Sequence, residues 1–203
     1  MNQPTEGPRA RYRQQVRHEV QAKAWAQIEH DGVSALSLKA IATEMGMTAP
    51  ALYRYYDSRD ALLTELILSA YRDLAERVEM ADDDHRPAGR RLTDIARAIR
   101  AWALKHPQRY LLLYGTPVPG YHAPAAATEL ARRIFAPVLA GFTDSRSDSA
   151  DLSLSPLHRS LTFWTRLHGV LSLQLAGHFV GMEIDTDALY AEEIHSLVGA
   201  FGD

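Results

Sequence analysis

Residues 37–63, SLKAIATEMGMTAPALYRYYDSRDALL, decide how this chain folds. Ser37 is an N-cap residue, and Leu38, Ile41, Ala42 and Met45 give the helix behind it one apolar side. Gly46 stops that helix, because glycine enters the left-handed conformation at little cost. Thr48 is the N-cap candidate for the next helix, with Pro50 in its first turn, where a missing N–H is harmless. The pattern is helix, tight turn, helix. Ser58 then caps a third helix.

The second of these helices, from Ala49 to Tyr56, carries chemistry suited to nucleic acid. Leu52 and Tyr56 share a core face at a spacing of four, while Ala49, Ala51, Tyr53, Arg54 and Tyr55 spread over the rest. Small side chains let the backbone approach a groove. Arginine and tyrosine supply donors for base edges and phosphates. Arg59, next to the Ser58 cap, is available to a phosphate.

Working outward, Val16, Val20, Ala24 and Ile28 repeat every four residues, with Trp25 beside them, and predict a helix from about Tyr12 to Asp31 ended by Gly32. Residues 1–10 are polar, hold two prolines and read as disordered. After Ser58, the residues Leu62, Leu63, Leu66, Ile67, Ala70, Leu74 and Val78 mark the buried side of a long helix to about Met80. The polar run Asp82–Pro87 is read as solvated charge and as a domain boundary. Further helices are expected from Leu92 to the His106–Pro107 step, in a short segment after Pro107, over Thr128–Phe142 with a bend at Pro137, over Ser155–Phe179 and over Asp187–Ala200. Residues 143–153 read as a polar linker. No pattern of period two appears, so the fold is expected to be all-α, without internal repeats.

Composition narrows the functional classes. The net charge of −3 excludes a broadly basic protein that coats nucleic acid, yet Arg9–Lys23 holds five basic residues against Glu19 alone. A local basic arm on an acidic body suits focused DNA contact. With no cysteine, thiol sensing, disulfides and thiolate metal sites are excluded. Neither a signal peptide nor a run of the ~20 apolar residues needed to span a membrane is evident, and a cytoplasmic location is expected. Nine histidines offer acid–base candidates, but no Ser/His/Asp spacing, HExxH or glycine-rich phosphate loop accompanies them. A small helical enzyme and a non-specific architectural DNA-binder therefore stand as the rival readings.

The region from about residue 12 to residue 70 resembles the DNA-binding region of TetR-family transcriptional regulators. Gly32, Ile41-Ala42, Gly46, Leu52-Tyr53 and Ser58-Arg59-Asp60-Ala61-Leu62-Leu63 carry the likeness. Within the long C-terminal helix, WTRLHG (Trp164 to Gly169) is similar to a Trp-x-x-x-His-Gly signature in one branch of TetR-type C-terminal domains, as is the segment from Pro107 to Tyr121. The resemblance implies a basic arm (1–11), a helix-turn-helix domain (12–60), a connecting helix (61–81) and a ligand-binding and dimerisation domain (82–203). It implies DNA contacts from Ser37, Lys39, Ala49, Pro50, Ala51, Tyr53, Arg54, Tyr55 and Arg59. Arg54 and Lys39 would meet base edges, while Tyr53, Arg59 and Ser37 would hold phosphates.

In the C-terminal half, Trp102, Tyr110, Tyr114, Tyr121, Phe135 and Trp164 are candidates to line a pocket for a small, largely apolar ligand, with His168 as a polar contact. Plain core packing is the competing reading. The small residues Gly169, Ser172, Ala176 and Gly177, with leucines along the last two helices, suit a four-helix interface with a second copy. The expected protein is a homodimeric repressor, released from a palindromic operator by its ligand, without cofactor or metal.

Overall fold

The computed structural model describes residues 7–144 and 155–199. Among them are nine α-helices, one 3₁₀ turn and no strand. The expectations for residues 1–6, for most of the 143–153 linker and for Ala200 lie outside the described residues. The chain divides into two compact units: one runs up to Ile67 and takes in Pro117–Ala123, while the other holds Leu68–Thr116 and the chain from Pro124 onward.

The first unit is built on α1 (Pro8–Asp31), a 3₁₀ turn (Val33–Ala35), α2 (Leu38–Glu44), α3 (Ala49–Tyr53) and the start of α4 (Arg59–Ala81). Helix α1 begins at Pro8, not near Tyr12, so part of the stretch read as disordered is helical. Proline at a first helical position already has the φ a helix needs and lacks only a donor that would be unpaired. The helix ends at Gly32 with φ 79°, whose N–H reaches Ile28 O at 3.0 Å. Val16, Val20, Ala24, Trp25 and Ile28 are buried, as the four-residue repeat predicts.

Ser37 Oγ accepts from Ala40 N–H at 3.3 Å and caps α2. At the other end Gly46, with φ 64°, closes a Schellman turn: Met47 N–H reaches Ala42 O at 2.8 Å and Gly46 N–H reaches Thr43 O at 3.1 Å. The expected side-chain cap from Thr48 is not made. Pro50 has no N–H to offer, and Ala51 N–H goes to the Thr48 carbonyl at 2.9 Å. Helix α3 is shorter than expected, stopping at Tyr53 with Arg54 and Tyr55 in the turn beyond it. Leu52 and Tyr56 are buried, as are Ile41, Leu62, Leu63 and the α1 stripe, and together they close the small core.

The second unit comprises the remainder of α4, α5 (Ala88–Lys105), α6 (Pro107–Tyr114), α7 (Ala125–Asp144), α8 (Pro156–Leu175) and α9 (Thr186–Val198). Leu74, Val78, Leu92, Ile95, Ile99, Ile134, Val138, Phe163, Leu167, Leu171 and Tyr190 are its buried centre. Gly141 on α7 allows α5 to come close: a Cβ there would lie 2.8 Å from a Leu92 methyl. Asp82, read as solvated charge, instead pairs at 2.8 Å with buried Arg91, which also reaches Asp144 at 2.9 Å. A charge this buried needs such partners, since desolvation otherwise costs several kcal/mol.

Helix α8 ends at Leu175, earlier than the expected Phe179, because Gly177 takes φ 81° two residues on. Ala176 and Gly177 are therefore not interface positions on a continuous helix. Gly169, expected to permit close packing, has no described residue within 4 Å of where a Cβ would lie, apart from its chain neighbours and the backbone of its own helix. No helix among the described residues is long and apolar enough to cross a membrane.

Candidate functional site

The surface of the first unit sets out the expected DNA-contacting residues as a group. Lys39 is exposed in the first turn of α2; Pro50, Tyr53 and Arg54 are exposed on α3 and its end, with Ala49, Ala51 and Tyr55 half-buried. Tyr53 is 47% exposed although it is a large aromatic in a small domain, so its ring is free for contact. Ser37 is half-buried, with its hydroxyl engaged in the cap and its N–H donated to Gln27 Oε1 at 3.1 Å.

Arg59 is placed differently from expectation. Its Nε donates to Leu36 O at 3.1 Å and its Nη2 to Val33 O at 2.7 Å, with Asp60 3.6 Å from Nη1. The guanidinium braces the 3₁₀ turn ahead of α2, and those donors are not directed at a phosphate. The sequence signal was position alone; the carbonyls it meets come from 23 and 26 residues away.

A polar frame that sequence reading missed holds the recognition helix from behind. Arg13 Nη2 donates to Arg54 O at 3.4 Å and Arg17 Nη1 to Tyr55 O at 3.2 Å, satisfying carbonyls just past the end of α3. Arg17 also pairs with Glu65 of α4 and lies over the Tyr56 ring at 4.7 Å. Gln21 bridges Glu65 at 2.6 Å and the Tyr56 hydroxyl at 3.3 Å. Burial raises the pKa of Tyr56, so its phenol stays neutral in this frame. The available signal was the four-residue spacing of Arg13, Arg17 and Gln21 along one face of α1.

In the second unit five of the seven pocket candidates come together. The Tyr114 ring lies 5.1 Å from Tyr110, 5.5 Å from Trp164 and 5.2 Å from His168. Trp164 stacks on His168 at 6.1 Å, and Phe135 meets Trp164 edge-on at 6.5 Å. Tyr71 of α4, not anticipated, packs edge-on against Tyr114 at 6.1 Å. Burial raises the pKa of Tyr110 and Tyr114, and it lowers that of His168, so phenols and imidazole are all neutral. The Tyr110 hydroxyl meets His168 Nδ1 at 2.6 Å and Ser172 Oγ meets Nε2 at 3.2 Å, so in the neutral ring one nitrogen donates and the other accepts. The free space beside Tyr110, Trp164 and His168 is only about 10 Å³. That is room for one water at most.

The other two candidates are elsewhere. Trp102 is buried on α5, its Nε1–H donating to Asp73 at 2.8 Å and its ring 5.7 Å from His106. It does not border the space beside His168. Tyr121 belongs to the first unit, where its hydroxyl meets Thr64 Oγ1 at 3.1 Å. Both were grouped with the cluster by residue type, and type does not report which partner a ring finds.

The helix-turn-helix with its exposed Lys39, Tyr53 and Arg54 agrees with the known proteins this chain resembles. A family model described as "Bacterial regulatory proteins, tetR family" matches residues 22–66, and one described as "Tetracyclin repressor-like, C-terminal domain" matches residues 92–197. The chain belongs to the TetR family. The HTH-type transcriptional regulator Rv1816 of Mycobacterium tuberculosis is 35% identical over an alignment covering 89% of each protein. A crystal structure of SCO4313 is 48% identical, with a TM-score of 0.83, covering 95% of this chain and 100% of that one. The TetR family transcriptional regulator PfmR from Thermus thermophilus, 14% identical with a TM-score of 0.68 over 89% of this chain and 97% of that one, shares the fold. Like its TetR relatives, this chain is a DNA-binding transcriptional regulator and not an enzyme.

Proposed function

We propose that this TetR-family regulator is a homodimeric repressor that a small, largely apolar ligand releases from a palindromic operator. The observation that carries the DNA-reading part is the exposure of Lys39, Tyr53 and Arg54 around an α3 whose end is held by arginines from α1. Arg54 and Lys39 read base edges, and Tyr53 anchors a phosphate. A five-residue helix is only about 7.5 Å long and covers few base pairs. Two copies on two half-sites supply the affinity that one lacks.

Support for the dimer comes from α8. Leu157, Leu161 and Leu173 are exposed on it at 51, 47 and 45%, and Gly169 faces open space. Leucines and a bare glycine on one helix suit a second copy packed through α8 and α9. Support for the ligand comes from Tyr110, Tyr114, Phe135, Trp164 and His168, aromatic walls around a neutral hydrogen-bonded pair. On the Phe163 and Leu171 side of Tyr110, Trp164 and His168 the space is about 10 Å³, so a ligand enters there only as a side chain moves, and half-buried Trp164 is the one to yield. Ligand occupancy would then favour a conformation with lower DNA affinity.

Selection of duplexes from a random-sequence pool, followed by sedimentation of the protein alone and on the selected duplex, tests the reading. Inverted half-sites bound by two protomers are expected, and Leu161→Lys should give a folded monomer. A selected site without two-fold symmetry, or a monomer on DNA, would overturn it. Adding small apolar compounds to the bound complex then tests release.

A further inference from the structure

The first turns of α1 are not required by the core of the DNA-binding unit. Every residue from Pro8 to Gln15 is exposed, and Val16 is the first buried residue of the helix. These turns extend a helix already packed from Val16 onward, so they form at little cost and hold their side chains outside the core. Within α1 they carry Arg9, Arg11 and Arg13 with no acidic residue before Glu19, on a chain whose net charge is −3. Tyr12 is 65% exposed. Among the described residues neither Arg9 nor Arg11 has an ion-pair partner.

The hydrogen bonds of α1 give this basic stretch a direction. Arg13 and Arg17 reach the carbonyls of Arg54 and Tyr55, so α1 crosses the end of the recognition helix at those residues. Arg9 is one turn further out than Arg13 on the same face, roughly 6 Å along the axis, and Tyr12 lies on that face too. Arg11 is turned to the opposite side of the helix.

We propose that the outer turns of α1 form a second DNA-contacting surface, in which Arg9 and Tyr12 hold phosphates flanking the bases met by α3. Guanidinium nitrogens and a phenol hydroxyl are donors suited to phosphate oxygens, and Arg13 ties this surface to the end of α3. Such contacts add affinity and position the helix-turn-helix without reading sequence. The inference rests on the DNA binding of the family and extends it to residues ahead of the region that the family's DNA-binding model matches, 22–66.

The test uses the full-length protein and a 40-bp duplex selected by it from a random pool, beside the same site trimmed of its flanks. Arg9→Gln should bind the long duplex several-fold more weakly and lower the slope of log affinity against log salt by about one per protomer. On the trimmed duplex Arg9→Gln and wild type should bind alike, and Arg9→Lys should restore the slope on the long one. Arg11→Gln should leave the slope near wild type. An unchanged slope for Arg9→Gln, an equal loss on the trimmed duplex, or an equal loss from Arg11→Gln would each overturn the proposal. An empty selection would count against the operator reading instead, and the slope measured on random-sequence duplex would still decide whether Arg9 meets phosphate.

Discussion

The two units of this regulator use polar side chains in opposite ways. In the DNA-binding unit, Arg13, Arg17 and Arg59 donate to main-chain carbonyls, which braces the backbone and leaves Lys39, Tyr53 and Arg54 outside. In the C-terminal unit, Tyr110, His168 and Ser172 bond to one another under a cover of aromatic rings. A reading surface needs a stiff frame and free side chains. The proposed ligand site instead holds groups that are satisfied when closed and costly to separate, for an unpaired buried polar group forfeits about 1–3 kcal/mol. The first unit keeps its candidate residues in view; the second conceals them.

The sharpest way to break the comparison is Trp164→Ala. Removing a packed tryptophan typically costs about 3–5 kcal/mol, and half-buried Trp164 belongs at the lower end. The melting temperature should fall by roughly 6–12 °C at fixed protein concentration, with DNA binding at 25 °C retained and release by ligand lost. Near-wild-type melting would mean that Trp164 is packed more loosely than about 10 Å³ of space on its Phe163 and Leu171 side implies.

Arg59→Ala probes the brace in the other unit. Loss of two charged hydrogen bonds to Val33 and Leu36, at a partly exposed site, should destabilise the protein by about 2 kcal/mol in urea. Affinity should drop equally on selected and random duplexes, and Arg59→Lys should not rescue it because an ammonium lacks the fork. Wild-type stability combined with weaker DNA binding would return Arg59 to the phosphate.

Arg54→Ala, by contrast, should leave stability within about ±0.5 kcal/mol while costing about 1–3 kcal/mol of binding to the selected duplex, with preference relaxed at one base position. Unaltered base preference would remove Arg54 from the reading surface.

The smallest effect is the pH dependence of His168. Burial lowers its pKa in the folded state, so as pH falls through the ordinary value of about 6.5 the unfolded chain takes up the proton first. The contribution of His168 to stability is therefore complete above that pH and declines below it. Urea midpoints between pH 5 and 7.5 should fall less steeply with acid in His168→Gln than in wild type. Identical slopes would place the imidazole in contact with solvent.

The sequence by itself determined the all-α fold and the helix-turn-helix. Four-residue apolar repeats, the Ser37 and Ser58 caps, Gly32, Gly46 and Pro50 act within a few residues, so their effect is local and readable in order along the chain. Exposure of Lys39, Tyr53 and Arg54 was legible for the same reason, because the buried face of a short helix defines its free one. Tertiary structure alone decided what long side chains meet. Arg59 finds carbonyls of the 3₁₀ turn, Trp102 finds Asp73, Tyr121 finds Thr64, and Tyr71 joins a cluster that residue type had not assigned it. It also decided that the space beside His168 is nearly filled, since the volume left between helices depends on how several side chains pack together, and no one of them carries that information along the chain.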